Sequence, residues 1–414
     1  MQMKKKISLL AVLFISITLC LSGCVKYVEL SDKAIVQALG IDYLPDKKTY
    51  RISLQYFSQT SEGGQNQIDK TQANVLKSVG EGDSILLAAK NASIMTGKDL
   101  LLSENRIVII GNELCNYNLE KTLEFFVANY HSHPMVRVVA AENTAEEIID
   151  VKFKEGYVSS QHLISLVSNA YQETKTLDSL VFRIMTDLHS STASAYIPIM
   201  KLSEQKTDGT IPPEGGGSGG EGGKSEKGGE GGGANSNEQT EKTVILDGGL
   251  IFADYKAVGK ADADTATGIQ FLSDRAVEYS VTVEDEANQK YTITMFNVNT
   301  AIKPVITDGA LSFDIDVSST GRFDERGSIG ETDTDAILSI EKAAENKIEA
   351  MLCNTIQLVK NEYGADIVGF EDALRHYSPD FMRENSDRIP EFIRAAECRV
   401  NVSIDLFSLG LQSY

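Results

Sequence analysis

The chain opens on an apolar run, ISLLAVLFISITLCL over residues 7–21, with Lys4, Lys5 and Lys6 in front of it. About 15 apolar residues fall short of the ~20 that a bilayer-spanning helix needs, and the basic flank makes the segment an export signal. Beyond it the period of the apolar positions changes from element to element. Residues 51–57 and 106–110 are β-branched and aromatic runs of strand length. Residues 84–95 place Ile85, Ala88, Ala92 and Met95 on one helical face, and a second helix from about residue 118 carries Leu119, Leu123, Phe126 and Val127 as its stripe. Residues 135–140 return as a strand. Thr144 with Glu147 three positions on is a capping box opening a further helix. Residues 157–171 predict another helix and 193–202 another strand.

The second half of the chain reads differently. Residues 244–246 and 250–253 flank Asp247-Gly248-Gly249 and predict a hairpin. Leu311, Phe313, Ile315 and Val317 alternate strictly, as do Cys398, Val400, Val402, Ile404 and Leu406, which predicts half-buried antiparallel strands with one wet face. Between them Ile337, Ile340, Ala344, Ile348, Met351, Leu352, Thr355 and Val359 form the stripe of one long helix over 335–363, with Gly364 as its C′ residue. The fold class is therefore α+β, multi-domain, with mixed sheets and helices and a C-terminal half of antiparallel strands packed on a long helix.

Residues 204–242 interrupt this order with PPEGGGSGGEGGKSEKGGEGGGANSNEQTEK and almost no apolar residue. Such composition cannot offset the ordering entropy of a core, so a disordered linker that tethers its flanks loosely is expected over 204–243. Its Gly223-Lys224-Ser225 is no phosphate-binding loop: Ser218 stands where the loop needs glycine, and no strand or apolar helix flanks it. The expected organisation is then a signal segment 1–23, an N-terminal α+β domain 24–203, the linker, and a C-terminal α+β domain 244–414.

With 39 Lys and Arg against 59 Asp and Glu, the formal charge of −20 disfavours nucleic acid and polyphosphate partners. After Cys24 only Cys115, Cys353 and Cys398 remain, too few and too far apart for a disulfide framework or a zinc site. Free thiols or a single bridge between Cys353 and Cys398 are both compatible with this spacing. His131 and His133 lack an identifiable third metal ligand, and His162, His189 and His376 stand alone. Glu284, Asp285 and Glu286 read as a solvated hairpin tip. No glycine-framed nucleophile elbow occurs. No catalytic residue, metal site or cofactor is expected.

Leu21, Ser22, Gly23 and Cys24 resemble the lipobox of bacterial lipoproteins. That resemblance implies cleavage before Cys24, an S-diacylglyceryl group on its thiol and room for a further N-acyl chain, enough lipid for stable attachment without a spanning helix. Taken in order, the lipobox, Gly40-Ile41-Asp42, Gly249-Leu250 with Phe252, Val258-Gly259, Thr267-Gly268, then Asp366-Ile367 with Gly369-Phe370 and Pro379 resemble the Ger(x)C family, the C-subunit lipoproteins of spore germinant receptors. The resemblance implies a non-enzymatic lipoprotein on the outer face of the spore inner membrane. It also implies assembly with a polytopic A-type subunit and a permease-like B-type subunit into a receptor that triggers germination. A lipid-anchored solute-binding protein of a transporter is the competing reading; it would require two parallel-sheet lobes around a ligand cleft.

Overall fold

The computed structural model describes residues 32–57, 75–117, 119–128, 135–151, 159–190, 192–205, 241–284, 288–325 and 334–407. The first half runs β1 (Lys33–Leu44), β2 (Thr49–Phe57), β3 (Val75–Gly82), α1 (Ile85–Thr96), β4 (Asp99–Leu101), β5 (Ile107–Ile110), α2 (Asn112–Tyr117), α3 (Glu120–Ala128), β6 (Arg137–Ala141), α4 (Ala145–Ile149), α5 (Ser159–Gln172), α6 (Val181–Leu188) and β7 (Ser194–Gln205). After residue 240 follow β8 (Glu241–Ala253), β9 (Lys256–Ala261), α7 (Ala263–Leu272), β10 (Tyr279–Glu284), β11 (Lys290–Thr307), β12 (Ala310–Glu325), α8 (Thr334–Ile356), α9 (Phe370–Tyr377), α10 (Pro379–Glu384), α11 (Ile389–Ala395) and β13 (Glu397–Phe407).

Two sheets organise these elements. The first is nine-stranded among the described residues, in the order β3-β2-β1-β5-β6-β7-β8-β9 with β4 beside β1. Its centre, β1-β5-β6-β7, is parallel and its flanks are antiparallel. A parallel strand with helices on both faces must be apolar throughout, and all four residues of β5, Ile-Val-Ile-Ile, are buried. Val108, Ile110, Val138 and Ala140 face α1, α2, α3 and α6. Ile107, Ile109, Val139 and Ala141 face α4 and α5. The second sheet runs β10-β11-β12-β13. Its buried positions Phe313, Ile315 and Val317 form one core with Ile340, Ala344, Ile348 and Leu352 of α8 and with Phe370 and Leu374 of α9.

Several expectations are met. Ser84 caps α1 by accepting from Leu87 N, and Thr144 caps α4 by accepting from Glu147 N at 3.3 Å. Gly364 has φ +64 after the long helix. Ile85, Ala88 and Ala92 are buried as a stripe, but Met95 is 75% exposed, because the helix makes its closest approach to β3 at Ala88 and Ala92, beside Gly80. Met135 likewise lies outside its strand and is exposed.

Other expectations are corrected. The strands on either side of the Gly-rich tract are neighbours in one sheet, with Glu204 opposite Lys242 and Gln205 opposite Glu241. Those four residues, expected to belong to the linker, are strand residues. Residues 206–240 lie outside the described set, yet their two ends are held side by side, so the flanks are not loosely tethered, and β8 and β9 complete the first sheet although they follow residue 240. Asp247-Gly248-Gly249 is not a turn. β8 is continuous through it, and the strand register shifts opposite Pro198 and Met200, a bulge that Gly248 accommodates at φ +65. The reversal comes later, at Asp254 and Tyr255, both at positive φ as a tight hairpin turn requires. Finally, β13 joins β12 in parallel. The chain returns through α8, so the last pair is a crossover rather than a hairpin. The long helix ends in a π-helical segment, Gln357–Glu362.

The two sheets meet through side chains that reach carbonyls across the seam. Thr267 Oγ1 donates to Thr174 O at 2.8 Å, Gln270 Nε2 to Thr176 O at 2.7 Å, and Thr174 Oγ1 to Glu278 O at 2.7 Å. Each such buried bond contributes about 1 kcal/mol and costs more if broken on one side.

Candidate interaction surfaces and motif residues

Leu21, Ser22, Gly23 and Cys24 lie outside the described residues, as do His131 and His133 and the acids Asp285 and Glu286. The described chain enters the fold at Lys33, whose Nζ meets Asp99 Oδ2 at 2.8 Å. That pair ties the start of β1 to the start of β4, where Lys33, Ala34 and Ile35 run parallel to Asp99, Leu100 and Leu101. Three residues before Asp99 ends α1, whose outward surface is unusual: Leu86 is 51% exposed, Leu87 41%, Ile94 74% and Met95 75%.

Most of the motif residues read from the sequence serve packing. The carboxylate of buried Asp42 accepts from Ala145 N at 2.7 Å and Glu146 N at 3.1 Å, so a strand residue caps the first turn of α4 from across the sheet. Burial pushes its carboxyl above the ordinary range, and the two N–H groups pull the other way. A side chain at Gly111 would collide with Asp42 Oδ1, and one at Gly40 would stand 2.7 Å from Ile149 Cδ1. Gly249 lies against the ring of Tyr196, Gly259 against the ring of Tyr363, and Gly268 against Thr355 of α8. Asp366 accepts from the N–H groups of Gly369, Phe370 and Glu371 at 3.0, 2.9 and 2.7 Å and so caps α9. Burial pushes it up to about 6 against those three donors.

Three charged side chains were not signalled by the motifs. Arg51 on β2 bridges Glu81 of β3 at 2.7 Å and Glu146 of α4 at 3.0 Å, while Lys77 reaches Glu146 and Asp150. These hydrogen bonds hold the Glu81 and Glu146 carboxyls below their usual range. Lys360, in the π-helical segment, donates to the carbonyls of Ile393, Arg394 and Ala396 at 3.3, 3.0 and 2.7 Å, closing the C-terminal end of α11. Burial pulls its ammonium below the usual lysine range. Its burial could not be read from its place next to Val359 in the sequence.

Two cavities open among the described residues. One of about 380 Å³ lies between α3, α6 and the β8–β9 turn, lined by Glu120, Leu123, Glu124, Met185, His189 and Tyr255. There His189 Nδ1 is 2.8 Å from Met185 O and 3.5 Å from the Tyr255 hydroxyl. Another of about 410 Å³ opens between β10 and α8 at Thr282, Glu284, Lys290 and Lys347. His162 sits on α5, and His376 is exposed on α9. Among the described residues no group of three His, Cys, Asp or Glu could hold a metal ion. Cys115, Cys353 and Cys398 are free thiols; Cys115 is buried and its thiol is pushed up to about 12, while Cys353 is exposed. Among the described residues no helix is long and apolar enough to cross a membrane.

The chain is thus an α+β protein in which helices cover both faces of the first sheet and most of the motif residues are engaged in packing. Residues 26–202 match the family model of the spore germination protein N-terminal domain, and residues 247–410 match that of the spore germination B3/GerAC-like C-terminal domain. The chain belongs to this Ger(x)C family of spore germination proteins. It is 24% identical to spore germination protein KC of Bacillus subtilis (strain 168) over 92% of this chain and 90% of that one. It is 22% identical to spore germination protein B3 of the same organism, over 95% of each. Spore germination protein YndF, also from that organism, is 17% identical over 95% of this chain and 94% of its own. The crystal structure of the GerBC protein superposes with a TM-score of 0.53 at 17% identity, over 89% of this chain and 96% of that one, and shows the same fold.

Proposed function

We propose that the chain is the lipid-anchored C subunit of a nutrient germinant receptor, a non-enzymatic protein that acts through its surfaces. The observation that carries this is the match of both family segments in order, spanning nearly everything after the lipobox-like Leu21-Ser22-Gly23-Cys24. In this reading the signal segment is cut before Cys24, a diacylglyceryl group is attached to its thiol, and the protein is held on the outer face of the spore inner membrane. Its partners are the polytopic A-type subunit and the permease-like B-type subunit. Tethering raises the effective concentration of its surfaces against membrane partners to about the millimolar range, so modest interfaces suffice for assembly.

The test is a detergent pull-down of the tagged protein from spore inner membrane, with Cys24→Ala as control and mass spectrometry of the partners. Recovery of both polytopic subunits, lost in the control, is expected. Recovery of transporter ATPase and permease subunits instead would replace this reading with solute binding.

A further inference from the structure

Helix α1 is apolar on both sides. Its inner side, Ile85, Ala88, Ala89 and Ala92, is buried on the first sheet. Its outer side carries Leu87, Lys90 and Ile94 at the i, i+3 and i+7 positions of one ridge, with Leu86 and Met95 beside it. A helix that faces water on its outer side carries charged residues there, whereas Lys90 is the one charged residue of α1. Contiguous exposed aliphatic side chains of this kind mark a contact surface.

What covers them follows from where the chain enters the fold. α1 leads through Gly97 and Lys98 into β4, which lies against the first residues of β1. Lys33, paired there with Asp99, is nine positions after Cys24. Nine extended residues span at most about 32 Å, and a twelve-residue helix is about 18 Å long, so whatever surface holds Cys24 lies within reach of α1. The local charge agrees. A chain of formal charge −20 is repelled by an anionic bilayer except where carboxylates are few. The outer ridge of α1 carries Lys90 and no carboxylate, Asp99 is matched by Lys33, and Asp83 stands at the far end of the helix.

We propose that the outer ridge of α1 lies on the bilayer surface, with Leu86, Leu87, Ile94 and Met95 entering the headgroup boundary and Lys90 extending to the phosphates. This rests on the reading that Cys24 carries the lipid. The contact would turn a loose tether into a fixed orientation of the first sheet relative to the membrane, which is what a subunit needs in order to present the same face to its partners each time.

The test uses the full mature chain with lipid on Cys24, in vesicles of phosphatidylglycerol and phosphatidylethanolamine in equal parts. A fluorophore is placed at Ile94→Cys, or on the opposite face of the first sheet at Gln161→Cys, in a Cys353→Ser, Cys398→Ala background. Lipid-borne quenchers are expected to quench the label at 94 several-fold more than that at 161. Equal, weak quenching of a protein that floats with the vesicles overturns the membrane face and leaves the anchor standing. A protein that does not float at all removes the anchor reading instead. The labels are then compared with a histidine tag replacing Cys24 on nickel-chelating lipid, where quenching at 94 supports the face and its absence overturns it. In the untethered Cys24→Ala chain, Leu87→Glu with Ile94→Glu should lower vesicle partitioning by roughly tenfold. Crosslinking of position 94 to a membrane protein, without quenching in pure lipid, would assign the ridge to a protein partner.

Discussion

The two halves of the molecule each carry a motif aspartate that caps a helix, and they do so over different distances. Asp42 sits in β1 and holds Ala145 and Glu146, more than 100 positions away. Asp366 sits in a loop and holds Gly369, Phe370 and Glu371, within five positions. The chemistry is the same, but the first cap is a tertiary bond that fixes α4 on the sheet and the second is a local turn that begins α9. A carboxylate recurring in a family pattern therefore says that a set of N–H groups needs an acceptor, and not whether those groups are near in sequence. Around Asp42 the contact is reinforced, since Arg51 and Lys77 also reach Glu146 from the neighbouring strands.

The sharpest way to break the long-range cap leaves the aspartate in place. Gly111→Ala drives a methyl group into Asp42 Oδ1, combining overpacking with loss of the cap. Equilibrium urea unfolding should show a loss of about 3 kcal/mol or more. Asp42→Ala should cost about 2–3 kcal/mol, and hydrogen exchange should quicken along α4 and along the β1–β2 pair that it covers. A loss of protection limited to residues 145 and 146 would show that the cap is not a tertiary bond.

Asp366→Ala should cost less, about 1–2 kcal/mol, with faster exchange confined to residues 369–371. The Asp366 cap also responds to pH. The folded carboxyl titrates at about 6, against 3.8 as its ordinary value. The folded state therefore binds more protons between these values, so this group's contribution makes the protein more stable as pH falls from about 6 to 4 and less stable as it rises. Asp366→Asn should remove that slope from a series of unfolding midpoints, while carboxylates held low by ion pairs, such as Glu81 and Glu146, act in the opposite sense at lower pH. A slope unchanged by the substitution would sink the assignment to Asp366. The smallest effect is expected for Thr144→Ala, about 1 kcal/mol, because Asp42 still holds the two preceding N–H groups of the same helix turn.

What was legible in the sequence is what depends on neighbours along the chain. The stripes of α1 and α8, the caps at Thr144 and Gly364 and the alternation of Leu311, Phe313, Ile315 and Val317 follow from local spacing. Pairings were not legible. Strict alternation in β13 specifies one wet face whether its neighbour runs parallel or antiparallel, and only α8 as a crossover decides the matter. Gly248 and Gly249 are as good a turn signal as Asp254 and Tyr255 are a poor one, yet β9 pairs with β8 after the second pair. Met95 fits the helical stripe by period, but period does not say where the supporting strand ends. For the interaction surfaces, the lipobox and family segments were readable, while the exposed ridge of α1 was not: Leu and Ile in a helix read as core until the burial of the opposite side leaves them outside.

The second sheet closes one of its two edges with side chains. Glu341 and Glu345, one turn apart on α8, accept from Leu406 N at 3.0 Å and Ile404 N at 3.2 Å of the edge strand β13. This guards the edge against pairing with another chain. The first sheet has a different peculiarity, the long Gly-rich insertion between β7 and β8, and its consequence is evolutionary. Because Gln205 and Glu241 are held opposite each other, the insertion begins and ends at one point of the fold. Closing a loop twice as long costs only about 0.6 kcal/mol more, so related genes can gain or lose glycine codons at this point with little selection from folding. Folding therefore places little constraint on the length of the insertion, which leaves its size free to record ancestry.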